Sequence, residues 1–236
     1  MSAPNITRWI GIGLVGLPLY GALTFFSSLN PQPDPNTHPE AWARYVTTDF
    51  YLLKHLFASG LGLILVVFGT FALGAYLAGS RAGRMGLAGM AVTVSGTLLF
   101  LMVGGVSIFS APKQGQAILA GIEEYEKLPL ILADTTLLPT MGVGVLLMLV
   151  GNVLLGVAVW RSGTLPRWAG ALWVAGSALP LLGQVYIMLP IGADSTPPTV
   201  PAGAVLLTIG GAWMAWSILS QPSAATVGVG AQPRAQ

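Results

Sequence analysis

The sequence predicts an all-α protein, a polytopic transmembrane helical bundle of six spans with short cytoplasmic turns and longer outer loops. Three observations lead there. Of the 236 residues, 54% are hydrophobic and only 8% are charged, where a soluble domain carries about 25% charged residues. Mean hydropathy is +0.75. The few charges gather in short islands, and the apolar runs between them reach the ~20 residues that a helix needs to cross the hydrocarbon core. These runs are continuous. Spanning strands would be about 10 residues long and would alternate apolar with polar positions.

The first span covers about 9–29. It could be taken for a signal peptide, but Pro18 and Tyr20 interrupt its middle and no convincing small-residue cleavage site follows, so it reads as an anchor. Asn30–Asp49 contains PQPDPNTHPE, whose four prolines and polar residues read as irregular loop. The second span, about 52–77, turns at SRAGR (Ser80–Arg84) into the third, about 86–109. Ser110–Leu137 is the longest outer loop. Within it Ile118, Ile122 and Tyr125 recur at helical spacing beside Glu123, Glu124 and Glu126, the pattern of a short helix lying on the outer surface. The fourth span, about 138–160, turns at RSGTLPR (Arg161–Arg167) into the fifth, about 168–189. A loop with Asp194, Pro197 and Pro198 leads to the sixth, about 201–219. Residues 1–220 thus read as one transmembrane domain, and 221–236, rich in Ala, Gly, Pro and Gln, as a disordered cytoplasmic tail.

Basic residues in short loops set the orientation. Arg8, Arg81, Arg84, Arg161, Arg167 and Arg234 fall on one side, with no acidic residue among them. Arg44, Lys54, Lys113 and Lys127 fall on the other, with all eight acidic residues. The expectation is a multi-pass protein of the cell (inner) membrane with both termini cytoplasmic. The arginines of the two turns can then reach lipid phosphates, and Trp9, Trp160 and Trp168 stand at interfacial level.

The second and third spans echo the fourth and fifth. FGTFALGAYL (Phe68–Leu77) can be laid on VGNVLLGVAV (Val150–Val159), matching Gly69 with Gly151 and Gly74 with Gly156. Each is followed by a basic turn and an Ala-Gly restart. Both hairpins run the same way, so a true repeat would be parallel; glycine-rich hairpins that look alike by chance are the alternative.

Several chemistries are excluded or weakened. With no cysteine there is no disulfide, thiolate metal site or thiol nucleophile. The histidines are His38 and His55, too few for paired haems, and no metal-ligand spacing occurs. A net charge of +2 gives no reason to expect nucleic acid. GIGLVG (Gly11–Gly16) matches a dinucleotide fingerprint but lies inside an apolar span rather than after a strand. No Asp, Glu or Arg sits in the middle of a span, which weakens a proton or ion pathway. No catalytic residue, metal site or cofactor is expected.

Polar groups do occur near the outer end. In DFYLLKHLFASG (Asp49–Gly60), Tyr51, His55 and Ser59 share one face of a regular helix, while Lys54 points elsewhere and can snorkel outward. His55 could bond a carbonyl, or a carboxylate among Asp49, Glu123, Glu124, Glu126 and Asp134. An outer ligand site would combine His55 and Tyr51 with Gln184 and Tyr186 of the fifth span, and Asn152 of the fourth is a further polar anchor. The competing reading is structural: Asp49 and Lys54 anchor a span end, and the other groups form inter-helix hydrogen bonds.

WRSGTLPRWAGALWVAGSAL (Trp160–Leu179), KHLFASGLGLIL (Lys54–Leu65) and the six-span layout resemble a loose group of uncharacterised bacterial six-span integral membrane proteins. That resemblance implies a fold and no activity, so it transfers no functional residue. The expectation is a non-enzymatic integral membrane protein that binds a small apolar ligand or serves as an accessory in a membrane complex. Its partners would be the lipid bilayer and either a second copy or another membrane protein. A small-molecule transporter or permease is the alternative, and a membrane redox or enzyme subunit with an outer-face site is a third.

Overall fold

The computed structural model describes residues 6–29, 31–35, 37–122, 136–188 and 196–221. Every regular element among them is helical. The first apolar run gives a rod in two pieces, α1 (Ile6–Leu14) and α2 (Gly16–Ser28). Pro18 has no N–H to return to the preceding turn, and the ladder tightens there, with Val15 N bonded to Ile12 O at 3.1 Å. Residues 31–34 have no regular structure, and α3 (Pro39–Val46) follows. Thr48 Oγ1 accepts the Tyr51 N–H at 3.2 Å and caps α4 (Asp49–Leu53). α4 runs on without a break through a π-helical segment, Lys54–Leu61, into α5 (Gly62–Ala78).

α6 (Gly83–Phe109) bends at Ser110 into α7 (Ala111–Leu119), with Pro112 in the first turn. α8 (Leu137–Ser162) ends at Gly163, whose φ of 72° is the left-handed conformation that closes helices at glycine. α9 (Arg167–Met188) and α10 (Thr199–Leu219) complete the chain.

Five continuous helical stretches are long and apolar enough to cross a membrane: Ile6–Ser28, Asp49–Ala78, Gly83–Leu119, Leu137–Ser162 and Thr199–Leu219. α9, where the fifth span was expected, is a 22-residue helix carrying Pro180 and is not among the five. Two expectations change. Irregular loop was expected throughout 30–49, but Pro39 sits in the first turn of α3, where a missing N–H costs nothing. The surface helix expected around Ile118, Ile122 and Tyr125 lies earlier, over 111–119. It ends at Gly121, φ 70°, before Ile122; Tyr125 and the three glutamates lie outside the described residues.

The long helices pack in chain order: α1–α2 on α5, α5 on α6, α6 on α8, α8 on α9, α9 on α10, and α10 back on α1–α2. The result is a closed ring. Its interior is filled by Leu17, Leu73, Leu155, Trp173, Leu207 and Met214, all buried in one apolar cluster. Small residues hold the helices together. A methyl group at Gly16 would fall on the Leu65 carbonyl, one at Gly151 on the backbone of Thr93, and one at Gly211 on the backbone of Leu17 and Pro18. α9 and α10 meet at Gly176, Pro180 and Gly203 in the same way. The large apolar residues point outward, among them Phe68 on α5, Met102 on α6, Leu146 on α8 and Trp216 on α10. Glycine and threonine at the helix contacts, with so many phenylalanine, leucine and tryptophan side chains exposed, departs from the water-soluble pattern. These apolar helices suggest a lipid bilayer environment.

The echoed glycines occupy partly equivalent places. Gly69 lies against Leu17 and Gly151 against Thr93, each on the preceding long helix; Gly74 faces Met90 and Gly156 faces Val174, each on the following one. The correspondence stops at the restarts. Gly89 on α6 packs against Leu155 of the later α8, whereas Gly170 on α9 packs against Val159 of the earlier α8.

Gly151→Val should lower thermal stability in detergent by about 1–3 kcal/mol, because the Thr93 backbone N and Cα obstruct the new side chain even if Thr93 Oγ1 rotates away. Unfolding followed by circular dichroism checks this, and an unchanged midpoint would mean that α6 and α8 are not in this contact.

Candidate functional site

The start of the long helix 49–78 lies under α3 and α7, which pack on each other at one end of the ring. Gly115 permits that contact, since a methyl there would meet Val46 Cγ2 and the Ala43 carbonyl. Trp42, Ala43, Val46, Tyr51 and Ala111 form a small apolar core beneath this cap, separate from the main one.

Tyr51 is 1% exposed. Its hydroxyl donates to the Ser107 carbonyl at 2.8 Å and so ties α4 to the end of α6. Its ring lies 3.9 Å from the His55 ring, tilted by 33°, and meets the Tyr45 ring edge-on at 5.7 Å. His55 Nδ1 lies 2.9 Å from the Tyr51 carbonyl oxygen. A carbonyl can only accept, so Nδ1 carries the proton and donates, and Nε2 of the neutral ring is left as an acceptor. The partner of His55 is thus a carbonyl of its own helix. Asp49 is in the first turn of α4, where a carboxylate suits the helix dipole. Glu123, Glu124, Glu126 and Asp134 lie outside the described residues.

Lys54 departs from expectation. It is 7% exposed and lies in register with buried Ala58, Gly62 and Val66 rather than snorkelling outward. Its Nζ donates to Tyr45 Oη at 3.3 Å and stands 6.0 Å from the centre of that ring. Burial pushes the Tyr45 hydroxyl above the ordinary phenol range, so it stays neutral and serves as an acceptor for the ammonium. Lys54 and His55 open the π-helical segment, an irregularity often found at functional sites.

Two groups under the cap escaped sequence reasoning. Trp42 of α3 and Gln114 of α7 are both buried, and Trp42 Nε1 and Gln114 Oε1 have no hydrogen-bond partner among the described residues. An unmet buried donor or acceptor costs roughly 1–3 kcal/mol. The cap therefore holds one N–H and one C=O that an incoming group with complementary polarity would satisfy. A sequence signal existed: Trp42 and Val46 are four apart in PEAWARYV, with Glu40 and Arg44 paired on the exposed side.

The other sequence candidates are dispersed. Asn152 lies on α8, and its Oδ1 accepts from Trp173 Nε1 of α9 at 3.0 Å, with both side chains buried. That is an inter-helix bond in the main core. Gln184 and Tyr186 lie on α9, with their side chains outside the described residues. Of the five candidates, Tyr51 and His55 are in direct contact.

No protein-family model matches this chain, and no curated protein or solved structure matches it. The functional reading therefore rests on its own residues.

A double-mutant cycle on Asn152→Ala and Trp173→Phe should return a coupling of about 0.6 kcal/mol, the usual worth of a hydrogen bond between helices in lipid. Zero coupling in detergent unfolding would show that the two side chains act independently.

Proposed function

We propose that this chain is a non-enzymatic integral membrane protein that holds a small, largely apolar ligand beneath its α3–α7 cap. In this reading it spans the inner membrane six times, α9 included, with both termini cytoplasmic and the cap on the outer side. The observation that carries the reading is the unmatched pair under the cap. Trp42 Nε1 offers a donor and Gln114 Oε1 an acceptor, both buried on the two helices of the cap, and Trp42 shares its small apolar core with Tyr51. Sites for small molecules have this composition, mostly apolar walls with a few placed polar groups. The segregation of Arg81, Arg84, Arg161 and Arg167 into the two short turns supports the orientation.

A permease is the second reading. It is favoured by the equivalent contacts of Gly69 with Gly151 and of Gly74 with Gly156, and opposed by the filled interior of the ring. Saturable uptake into vesicles would decide for it. Stable co-purification with another membrane chain would instead favour an accessory role in a complex.

Native mass spectrometry of protein released from mild detergent should show a discrete added mass. His55→Ala should reduce it without lowering the yield of folded protein; equal loss of both would make His55 structural. Gln114→Leu separates the roles further. It removes an unmet acceptor, so the ligand-free protein should gain up to about 1–3 kcal/mol of stability while the bound mass falls. A destabilised variant would mean that Gln114 is already satisfied within the protein. A reporter fused after Gln236 should read as cytoplasmic, and an external signal would reverse the proposed orientation.

A further inference from the structure

At the end of the ring opposite the cap, the turn after α5 and the turn after α8 come together. They border a basin of about 730 Å³ lined by Arg81, Arg84 and Arg161 with Ser80, Gly83 and Met85. The three arginines are exposed, and no acidic residue is among the described residues that line the basin. Three guanidinium groups therefore share one concavity whose described lining holds no carboxylate.

The hydrogen bonds that close the two turns do not involve these cations. Ser80 Oγ accepts the Ala82 N–H at 3.2 Å, and Ser162 Oγ accepts the N–H groups of Thr164 and Leu165 at 3.2 and 3.3 Å. Each turn is closed by its own serine. The two turns are nevertheless fitted to each other. A methyl at Gly163 would collide with Arg81 Nη2, so the guanidinium of the first turn lies directly on the backbone of the second. Beside Arg161, Trp160 meets Trp168 edge-on at 5.1 Å and Arg167 stands 5.8 Å from the Trp160 ring centre, an aromatic cluster typical of headgroup level.

We propose that this basin is a phosphate site that takes a doubly charged phosphate group, either the phosphomonoester head of a membrane lipid or free phosphate. Planar guanidinium groups fork onto phosphate oxygens, and an anion of two charges relieves the mutual repulsion of three cations. The basin is at the opposite end from the Trp42–Gln114 site, so the two proposals stand or fall separately.

The test is native mass spectrometry of the purified full chain in mild detergent, with added dioleoyl phosphatidic acid, dioleoyl phosphatidylcholine or inorganic phosphate. Phosphatidic acid should be retained about tenfold over phosphatidylcholine, and the double variant Arg81→Gln/Arg161→Gln should remove that preference. Arg167→Gln, which lowers the charge of the same face outside the basin lining, should leave it intact. Retention of inorganic phosphate at the expense of phosphatidic acid would identify the free ion as the occupant and still support the site. Equal retention of the two lipids, with no bound phosphate, overturns it. Because Arg81 rests on Gly163, its removal could disturb the turn, so exposed Arg84→Gln is measured alongside. An unchanged preference in both variants also overturns the proposal.

Discussion

Helices surrounded by hydrocarbon gain little from burying apolar surface against each other, because the lipid they leave is equally apolar. They associate where backbones come close enough for dispersion and polar contacts to add up. In this chain the condition is met by glycine at each long interface: Gly16 on α5, Gly74 and Gly86 between α5 and α6, Gly96 and Gly151 between α6 and α8, Gly156 and Gly170 between α8 and α9, Gly203 on α9, and Gly21 and Gly211 between the first rod and the last helix. The helix contacts are assigned to these small residues and to Thr70, Thr93 and Thr97, while bulky side chains either fill the middle of the ring, as Leu17 and Trp173 do, or face outward, as Phe68 and Trp216 do. The ring, its filled middle and its apolar exterior all follow from that one allocation.

A bundle closed in this way has little unoccupied space at mid-depth, and its polar chemistry moves to the two ends. The ends differ in kind. At one, short helices fold over the rim around a second small core that holds Tyr51, with Lys54 bonded to Tyr45 and His55 to the Tyr51 carbonyl. At the other, tight serine-closed turns leave arginines standing on the surface. Inside the bundle, Asn152 and Trp173 bond to each other and serve the packing.

The sequence made the long helices legible because continuous apolar runs and the basic turns between them leave few alternatives. It concealed α3, because proline was read as a breaker when Pro39 occupies the one helical position that tolerates it. It concealed the orientation of Lys54, because a charge near a span end ordinarily reaches outward; the small residues Ala58 and Gly62 in register with it were the contrary sign. The contact of Tyr51 with His55 was visible from their spacing of four. The wider π-helical turn was not, since no residue pattern marks it. The spacing of Trp42 and Val46 marks a buried face on α3, but no spacing brings Trp42 and Gln114 under one cap, because they come from helices separated by a long span hairpin. The arginine basin was hidden for a similar reason: its two turns are far apart in the chain, and each alone looks like an ordinary positively charged loop.

Packing in chain order has a consequence for how the protein is made. Each new hairpin finds its neighbour already in the membrane, so most interfaces form as soon as their second helix arrives. The seam between α1–α2 and α10 is the exception. Gly11 awaits Leu219, and Gly21 awaits Thr208, across almost the whole length of the chain. Until the last helix is inserted, the first rod presents a bare glycine-lined face to the lipid and to any other helix nearby. The final interface is thus a checkpoint in time: a chain shortened within α10 keeps an open flank that the complete chain conceals.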